Sequence, residues 1–247
     1  MTLLRVVTYN IHKGVQGLGP RRRLEIHNLG HAVEQFDADI VCLQEVRKLH
    51  RREEQFFDHW PKLPQADFLA PEGYTPVYRT NATTRHGEHG NAMLCRWPVV
   101  AHQHEDMSDH RFEQRGLLHC EVKFHGVSVH VLVVHLGLIR ASRQRQLAQL
   151  LRFVGREFQA KAPLVVAGDF NDTETFVRKA LGSSGLTSLA EKGFATFPSR
   201  LPILQLDHVF VRGMTPLTLQ VPRGPIWSRM SDHLPLIAEF EVSLDLP

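Results

Sequence analysis

Eight residues at or just past the ends of apolar stretches carry groups able to do chemistry: Asn10, Glu45, His135, Asp169, Asn171, Asp207, Asp232 and His233. Each is a carboxylate, an imidazole or a carboxamide, and strand ends are rigid mounts for a site. Carboxylate and amide oxygens are hard ligands that suit Mg²⁺ or Mn²⁺. Imidazoles move protons near neutral pH. Taken singly, each residue has a plainer explanation: Asn10 shapes a turn, Glu45 pairs with Lys48 or Arg51, Asp169 caps a helix, His135 is a satisfied core histidine. Together they have a common use only if the strands converge. Other signatures narrow the chemistry. No GxxxxGK[ST] loop and no GxGxxG follows any strand, which disfavours nucleotide-triphosphate and dinucleotide folds. GxSxG is missing too, against the commonest serine-hydrolase layout. Cys42, Cys95 and Cys120 lie inside apolar stretches with neither CxxC nor a zinc spacing, so they read as buried free thiols. What is left is metal-assisted attack of water on a phosphate ester. A cation would neutralise the phosphoryl oxygens, a base would orient the water, and an acid would protonate the leaving oxygen.

The elements that must position these groups follow from periodicity. Residues 3–11 read as a buried strand ending at Asn10, and residues 39–43 as a second, with Gln44 and Glu45 just past its apolar part. Between them, Arg21, Arg22 and Arg23 open a predicted helix that carries Leu24, Leu29, Val33 and Phe36 and closes near Asp37. A short charged helix is expected over 53–60. Strands are predicted over 75–78, 92–95, 99–101, 117–124 and 127–135, the last two joined by a tight turn at Gly126. Leu147, Leu150, Leu151, Val154 and Phe158 recur at helical spacing. A buried strand over 164–167 then leads into the loop of Asp169 and Asn171, a short helix over 175–181, and strands over 206–211, 217–221 and 235–242.

The chain has 247 residues, 43% apolar and 22% charged, with 29 Lys and Arg against 26 Asp and Glu. Those proportions exclude a disordered, collagenous or coiled-coil chain. A net charge of +3 is too small to mark a duplex-coating protein. No apolar run approaches the roughly 20 residues of a membrane span, and no leader pattern opens the sequence. With unpaired thiols, the expected location is the cytoplasm. There is no internal repeat, low-complexity tract or linker, so one catalytic domain over 1–247 is expected.

Seven stretches resemble a known family, in that family's order. They are Val7-Thr8-Tyr9-Asn10-Ile11, Asp39-Ile40-Val41-Cys42-Leu43-Gln44-Glu45-Val46, Gly90-Asn91-Ala92-Met93-Leu94, Val134-His135-Leu136, Ala167-Gly168-Asp169-Phe170-Asn171, Leu206-Asp207-His208-Val209 and Ser231-Asp232-His233-Leu234-Pro235. The chain is identified on these as a member of the endonuclease/exonuclease/phosphatase superfamily, in a bacterial branch, similar in fold to pancreatic deoxyribonuclease. The resemblance implies an α/β (α+β) fold: a four-layered sandwich of two packed, mostly antiparallel sheets with helices outside. It implies Glu45 as principal ligand of Mg²⁺ or Mn²⁺, with Asn10 and Asp232 near the ion. It implies Asn171 and His135 as binders of the scissile phosphate, Asp207 and His233 as a hydrogen-bonded pair, and Asp169 as the group that orients or deprotonates water. Two mechanisms stay open. In one, Asp169 is the base and His135 helps stabilise the leaving oxygen; in the other, the Asp207–His233 pair is the base and His135 the acid.

The substrate stays open as well. A phosphodiester of nucleic acid or of a phospholipid headgroup is expected, ahead of phosphomonoesters of the inositol-phosphate or nucleotide kind and of a non-catalytic binding relative. Weaker candidates surround the set. His12 and Lys13 would add positive charge near a phosphate, or are merely solvated. Asn91 either faces the site or shapes a turn. Arg143 sits near the mouth or in solvent, and Trp227 is expected as an aromatic plug over the core rather than a rim residue.

Overall fold

Several strands are apolar on both faces, and a strand of that kind must lie between two apolar layers. In β1 (Thr2–Asn10), Leu4 and Val6 point into one core cluster while Val7 and Tyr9 point into another. β4 (Ile40–Val46) repeats this, with Ile40 and Cys42 on one side and Val41 and Leu43 on the other. β9 (Val127–His135) and β10 (Leu164–Asp169) do the same in a second sheet. The period of two along each strand therefore dictates a four-layered α/β sandwich.

The computed structural model describes residues 2–173, 175–188 and 194–244. The remaining strands are β2 (Val15–Gln16), β3 (Arg23–Leu24), β5 (Thr75–Thr84), β6 (Gly87–Cys95), β7 (Val99–Asp106), β8 (Gly116–Phe124), β11 (Asp207–Arg212), β12 (Thr215–Gln220) and β13 (Leu236–Val242). One sheet has the order β12-β13-β1-β4-β6-β5, and the other β11-β10-β9-β8-β7. Only β1 with β4 and β9 with β10 run parallel; the other neighbours in both sheets are antiparallel. Helices α1 (Ile26–Gln35), α3 (Gln65–Leu69) and α6 (Trp227–Met230) cover the outer face of the first sheet. Helices α4 (Arg140–Glu157) and α5 (Thr175–Gly182) cover the second. The remaining helix is α2 (Arg51–Phe56). Packing holds α1 in place: it has no side-chain cap and contains Gly30, a cost of about 1 kcal/mol. Burying Leu29 and Val33 offsets this at about 1.5–3 kcal/mol each. Among the described residues, no helix is long and apolar enough to cross a membrane.

Two sequence expectations need correction. The run Arg21–Arg23 does not open the first helix. Gly19–Arg21 forms a short 3₁₀ turn, and Arg23–Leu24 pairs with Val15–Gln16, so α1 starts only at Ile26. Strand pairing takes the backbone groups that the helix would have used. The charged helix spans Arg51–Phe56 rather than reaching residue 60, with His50 Nδ1 accepting the Glu53 N–H at 3.2 Å as its cap.

Register brings the functional residues together. Asp169 pairs with His135 across the parallel ladder and with Asp207 across the antiparallel one. Asn10 pairs with Gln44, next to Glu45, and Thr8 pairs with Leu236, just beyond Asp232 and His233. The ends of β1, β4, β9 and β10 and the beginnings of β11 and β13 thus lie along one edge. β1 also packs against β10 between the sheets, so the two halves of the set face each other.

Candidate functional site

Asp169 is the centre of the cluster. Its carboxylate is buried, and Oδ2 accepts a hydrogen bond from Asn10 Nδ2 at 3.0 Å. The Nε2 atoms of His135 and His233 each stand 3.6 Å from the same oxygen. Oδ1 accepts the backbone N–H of Asn171 at 2.8 Å. Asn171 has a left-handed φ of 49° and donates its amide to the Leu136 carbonyl at 2.9 Å, which ties the loop to the end of β9. Gly168 makes this placement feasible, because a Cβ there would lie 1.9 Å from the Val134 carbonyl oxygen.

His233 lies between two carboxylates. Its Nδ1 is 2.8 Å from Asp207 Oδ2, and its Nε2 faces Asp169. Thr196 Oγ1 donates to the same Asp207 oxygen at 2.6 Å, orienting the carboxylate. Burial works against a charged ring here, but the Asp207 and Asp169 charges overcome it and push His233 up to about 10. His135 shifts the other way. Burial, reinforced by the Arg115 guanidinium, pulls it down to about 4 and outweighs Asp169 and Glu45. Burial also raises Asp169; the Asp207 charge adds to that and the histidines oppose it. Two imidazoles on one carboxylate oxygen are therefore driven apart, one to its cation and one to its neutral form.

The acidic rim lies beside this core. In β4 the register with β6 shifts between Leu43 and Val46, and Glu45 has a φ of 58°. This bulge re-aims Glu45 out of the ladder, with backbone strain as the cost. Its Oε2 holds the Lys13 ammonium at 2.5 Å. Burial would raise Glu45, but Lys13 next to it, with His135 and His12 adding, keeps it far below the ordinary carboxylate range. Asp232 Oδ2 holds His12 Nδ1 at 2.9 Å. Burial raises Asp232, yet the His12 contact wins and lowers it, while the Glu45 charge opposes. The two acidic groups thus feel one another across the rim. Asn10 joins the two regions, because its Oδ1 accepts the His12 N–H at 3.1 Å while its Nδ2 serves Asp169.

Among the described residues, two groups could hold a cation. Asp169, Asp207 and His233 bring ligand atoms within 4.8 Å of one another. There, however, ring and carboxylate already hydrogen-bond each other in a buried setting. Glu45 and Asp232 offer hard oxygens at a partly open rim, with the buried Asn10 carboxamide linked to Asp232 through His12, and Glu45 already binds a cationic ammonium. The donor chemistry of the rim fits a hard divalent ion better.

Some participants had no sequence signal. Thr196 orients Asp207 from a loop, Arg115 depresses His135 from the β8 side, and His89, lowered to about 4 by burial and by Lys13, lies near Glu45. Nothing in the spacing of these three connects them to the motifs. Lys13 and His12 lie on the acidic groups rather than in bulk solvent. Asn91 is buried in β6, and its amide donates to the Gly116 and Val133 carbonyls of the opposite sheet, so it ties the two sheets together. Arg143 donates to the Gly137 and Leu138 carbonyls, holding the loop after His135. Trp227 stacks on Phe36 with centroids 5.6 Å apart and plugs the core. All three cysteines are buried and free.

Comparison with known proteins agrees with this fold. The model of the Endonuclease/Exonuclease/phosphatase family matches residues 7–233. Uncharacterized protein YbhP of Escherichia coli (strain K12) is 36% identical over 246 residues, 96% of either chain. The crystal structure of the endonuclease/exonuclease/phosphatase from Bacteroides vulgatus superposes with a TM-score of 0.76 at 18% identity, covering 98% of this chain and 100% of that one. The human Nocturnin catalytic domain with bound sulfate anion gives a TM-score of 0.71 at 23% identity, covering 98% of this chain and 94% of that one.

Proposed function

The chain belongs to the Endonuclease/Exonuclease/phosphatase family, and from that premise we propose that it is a divalent-metal-dependent phosphodiester hydrolase. One observation carries the reading: a single buried carboxylate oxygen, Asp169 Oδ2, is approached by Asn10 at 3.0 Å and by two histidines at 3.6 Å, beside an acidic rim. Binding alone has no use for so many proton-handling groups around one oxygen.

Glu45, with Asp232 and Asn10, would hold Mg²⁺ or Mn²⁺. Bound there, the ion supplies neutralisation of charge on the phosphoryl oxygens. The chain's own groups do the rest. Asn10 and the Asn171 backbone fix both oxygens of Asp169, leaving it oriented to take a proton from water. His233, fixed through Nδ1 by Asp207 with its Nε2 toward Asp169, would offer the Nε2 hydrogen to a phosphate bound beside that carboxylate. His135 and the Asn171 amide complete the phosphate cradle. His135 reaches Asp169 Oδ2 from the end of β9 and His233 from the loop before β13; we assign His135 to the leaving oxygen, which its neutral ring would stabilise by an N–H hydrogen bond while that oxygen takes its proton from water. The arrangement favours Asp169 over the Asp207–His233 pair as base, because the ring already faces two anions and holds its proton.

The test is hydrolysis of bis-p-nitrophenyl phosphate by the purified protein with Mg²⁺, Mn²⁺ or EDTA. Metal-dependent release of p-nitrophenol is expected, with a loss of at least about 100-fold in Asp169→Asn and the native fold retained by circular dichroism. Equal rates in EDTA, an active Asp169→Asn protein, or release of inorganic phosphate from monoesters alone would overturn the reading.

A further inference from the structure

The mouth of the site carries large apolar side chains exposed to solvent. On the His135 side, Leu138 and Ile139 are 69% and 54% exposed, three and four residues past the imidazole. Phe112, 82% exposed, belongs to the adjoining loop, where Glu113 Oε1 accepts the Leu138 N–H at 2.9 Å. On the His233 side, Leu201 and Ile203 are each 69% exposed. Their loop is fastened to the site: the Ser199 N–H donates to the Asp232 carbonyl at 2.7 Å, and the Phe197 ring lies 4.9 Å from the His233 ring. His135 and His233 approach the same Asp169 oxygen, so both loops are anchored at one site.

Exposed apolar residues elsewhere, such as Leu3, Leu18, Leu63 and Val100, are scattered along unrelated elements and call for no explanation. The mouth differs in two ways. Its apolar residues come from separate loops yet border a single site, and they are interleaved with positive charge. Arg111 lies over the Phe112 ring at 4.6 Å, and exposed Arg200 precedes Leu201. The loops are also held in place. Arg143 donates to the carbonyls of Gly137 and Leu138, and Arg145 grips Asp109 through both of its oxygens.

We propose that this mouth docks on an anionic phospholipid surface, with Phe112, Leu138, Ile139, Leu201 and Ile203 entering the headgroup layer and the phosphodiester of a lipid headgroup presented to the site. The proposal rests on the hydrolase reading and names its substrate class. Aliphatic side chains between arginines match the two zones of a lipid interface: the apolar tips reach the acyl boundary while guanidinium groups meet lipid phosphates. A single-stranded nucleic acid would be served by aromatic platforms along a basic groove instead. Of the five apolar residues only Phe112 is aromatic. Four are aliphatic, and that favours the bilayer.

The experiment is co-sedimentation of the full chain with vesicles of phosphatidylcholine alone, or with one quarter phosphatidylglycerol. A variant carrying Leu138→Ser, Ile139→Ser, Leu201→Ser and Ile203→Ser runs in parallel, and each protein is also assayed on soluble bis-p-nitrophenyl phosphate. Wild-type protein is expected to bind the anionic vesicles at least tenfold more strongly than the neutral ones. The variant is expected to lose at least tenfold of that binding, with its melting curve and soluble-diester rate unchanged. Wild-type protein that stays in the supernatant while hydrolysing the soluble diester overturns the docking surface and leaves the hydrolase reading standing. Vesicle binding without diester hydrolysis overturns the hydrolase reading and supports the surface. If the substitutions weaken binding to a fluorescent single-stranded oligonucleotide and vesicles are not bound, the surface belongs to nucleic acid and the lipid proposal fails.

Discussion

Replacing Asp207 by asparagine removes a charge at nearly constant shape, which isolates what the buried pair does. The amide oxygen of the substituted side chain can still accept from Thr196 Oγ1, 2.6 Å from the native carboxylate, and from a neutral His233 Nδ1–H. Only the attraction for a second proton on the ring is lost. A histidine held at about 10 against the ordinary 6.5 prefers its protonated form by about 5 kcal/mol more than a free one. Breaking a buried pair on one side costs about 3–5 kcal/mol. Because the folded value is raised, His233 contributes stability that is fully present below pH 6.5 and is lost as pH rises through about 10. Asp207→Asn should therefore be destabilised by about 3–5 kcal/mol at pH 6 and approach the native protein by pH 10. Urea unfolding at pH 6, 8 and 10 in EDTA measures this, and the ring's proton resonances follow the titration of His233 directly. A stability difference that stays constant across that range, or a native His233 that titrates near 6.5, refutes the reasoning.

Three further outcomes follow from the same contacts. Lys13 occupies the Glu45 oxygen that a divalent ion would need. Releasing a half-open pair of this kind is worth about 1 kcal/mol, so Lys13→Ala should bind Mg²⁺ about fivefold more tightly by calorimetry; equal or weaker binding contradicts competition for that oxygen. Gly168→Ala drives a Cβ to 1.9 Å from the Val134 carbonyl oxygen and should lower stability by about 3 kcal/mol or more, with loss of diester hydrolysis; a native melting temperature would show that the strand ends can part freely. His89 and His119 are both lowered to about 4, chiefly by burial. Depressed values of this kind give stability that is present above 6.5 and lost as pH falls toward 4, so the melting temperature should drop between pH 7 and pH 5, and less steeply in His119→Gln. Parallel curves for the two proteins would remove His119 as a cause.

The amino-acid order alone determined which groups stand at strand ends and which faces are apolar. Period-two runs such as Leu4–Tyr9 and Leu164–Ala167 carry apolar residues on both faces, and that is sufficient to demand layers on either side. The same order placed the helix of Leu147, Leu150 and Val154, because helical spacing is a local property. It failed at Arg21–Arg23, where a 3₁₀ turn over Gly19–Arg21 and the local pairing of Arg23–Leu24 with Val15–Gln16 overrode helical propensity. Tertiary structure alone decided the rest. That Asp169 Oδ2 has Asn10, His135 and His233 around it depends on β1 crossing β10 and on a register that no single segment encodes. The divergence of the two histidines depends on the balance at each ring: at His233 the Asp207 and Asp169 charges overcome burial, whereas at His135 burial together with the Arg115 guanidinium outweighs Asp169 and Glu45. Proton affinity is set by neighbours across space, and residues such as Asn10 and Asp169, 159 positions apart, become neighbours only when the sheets close.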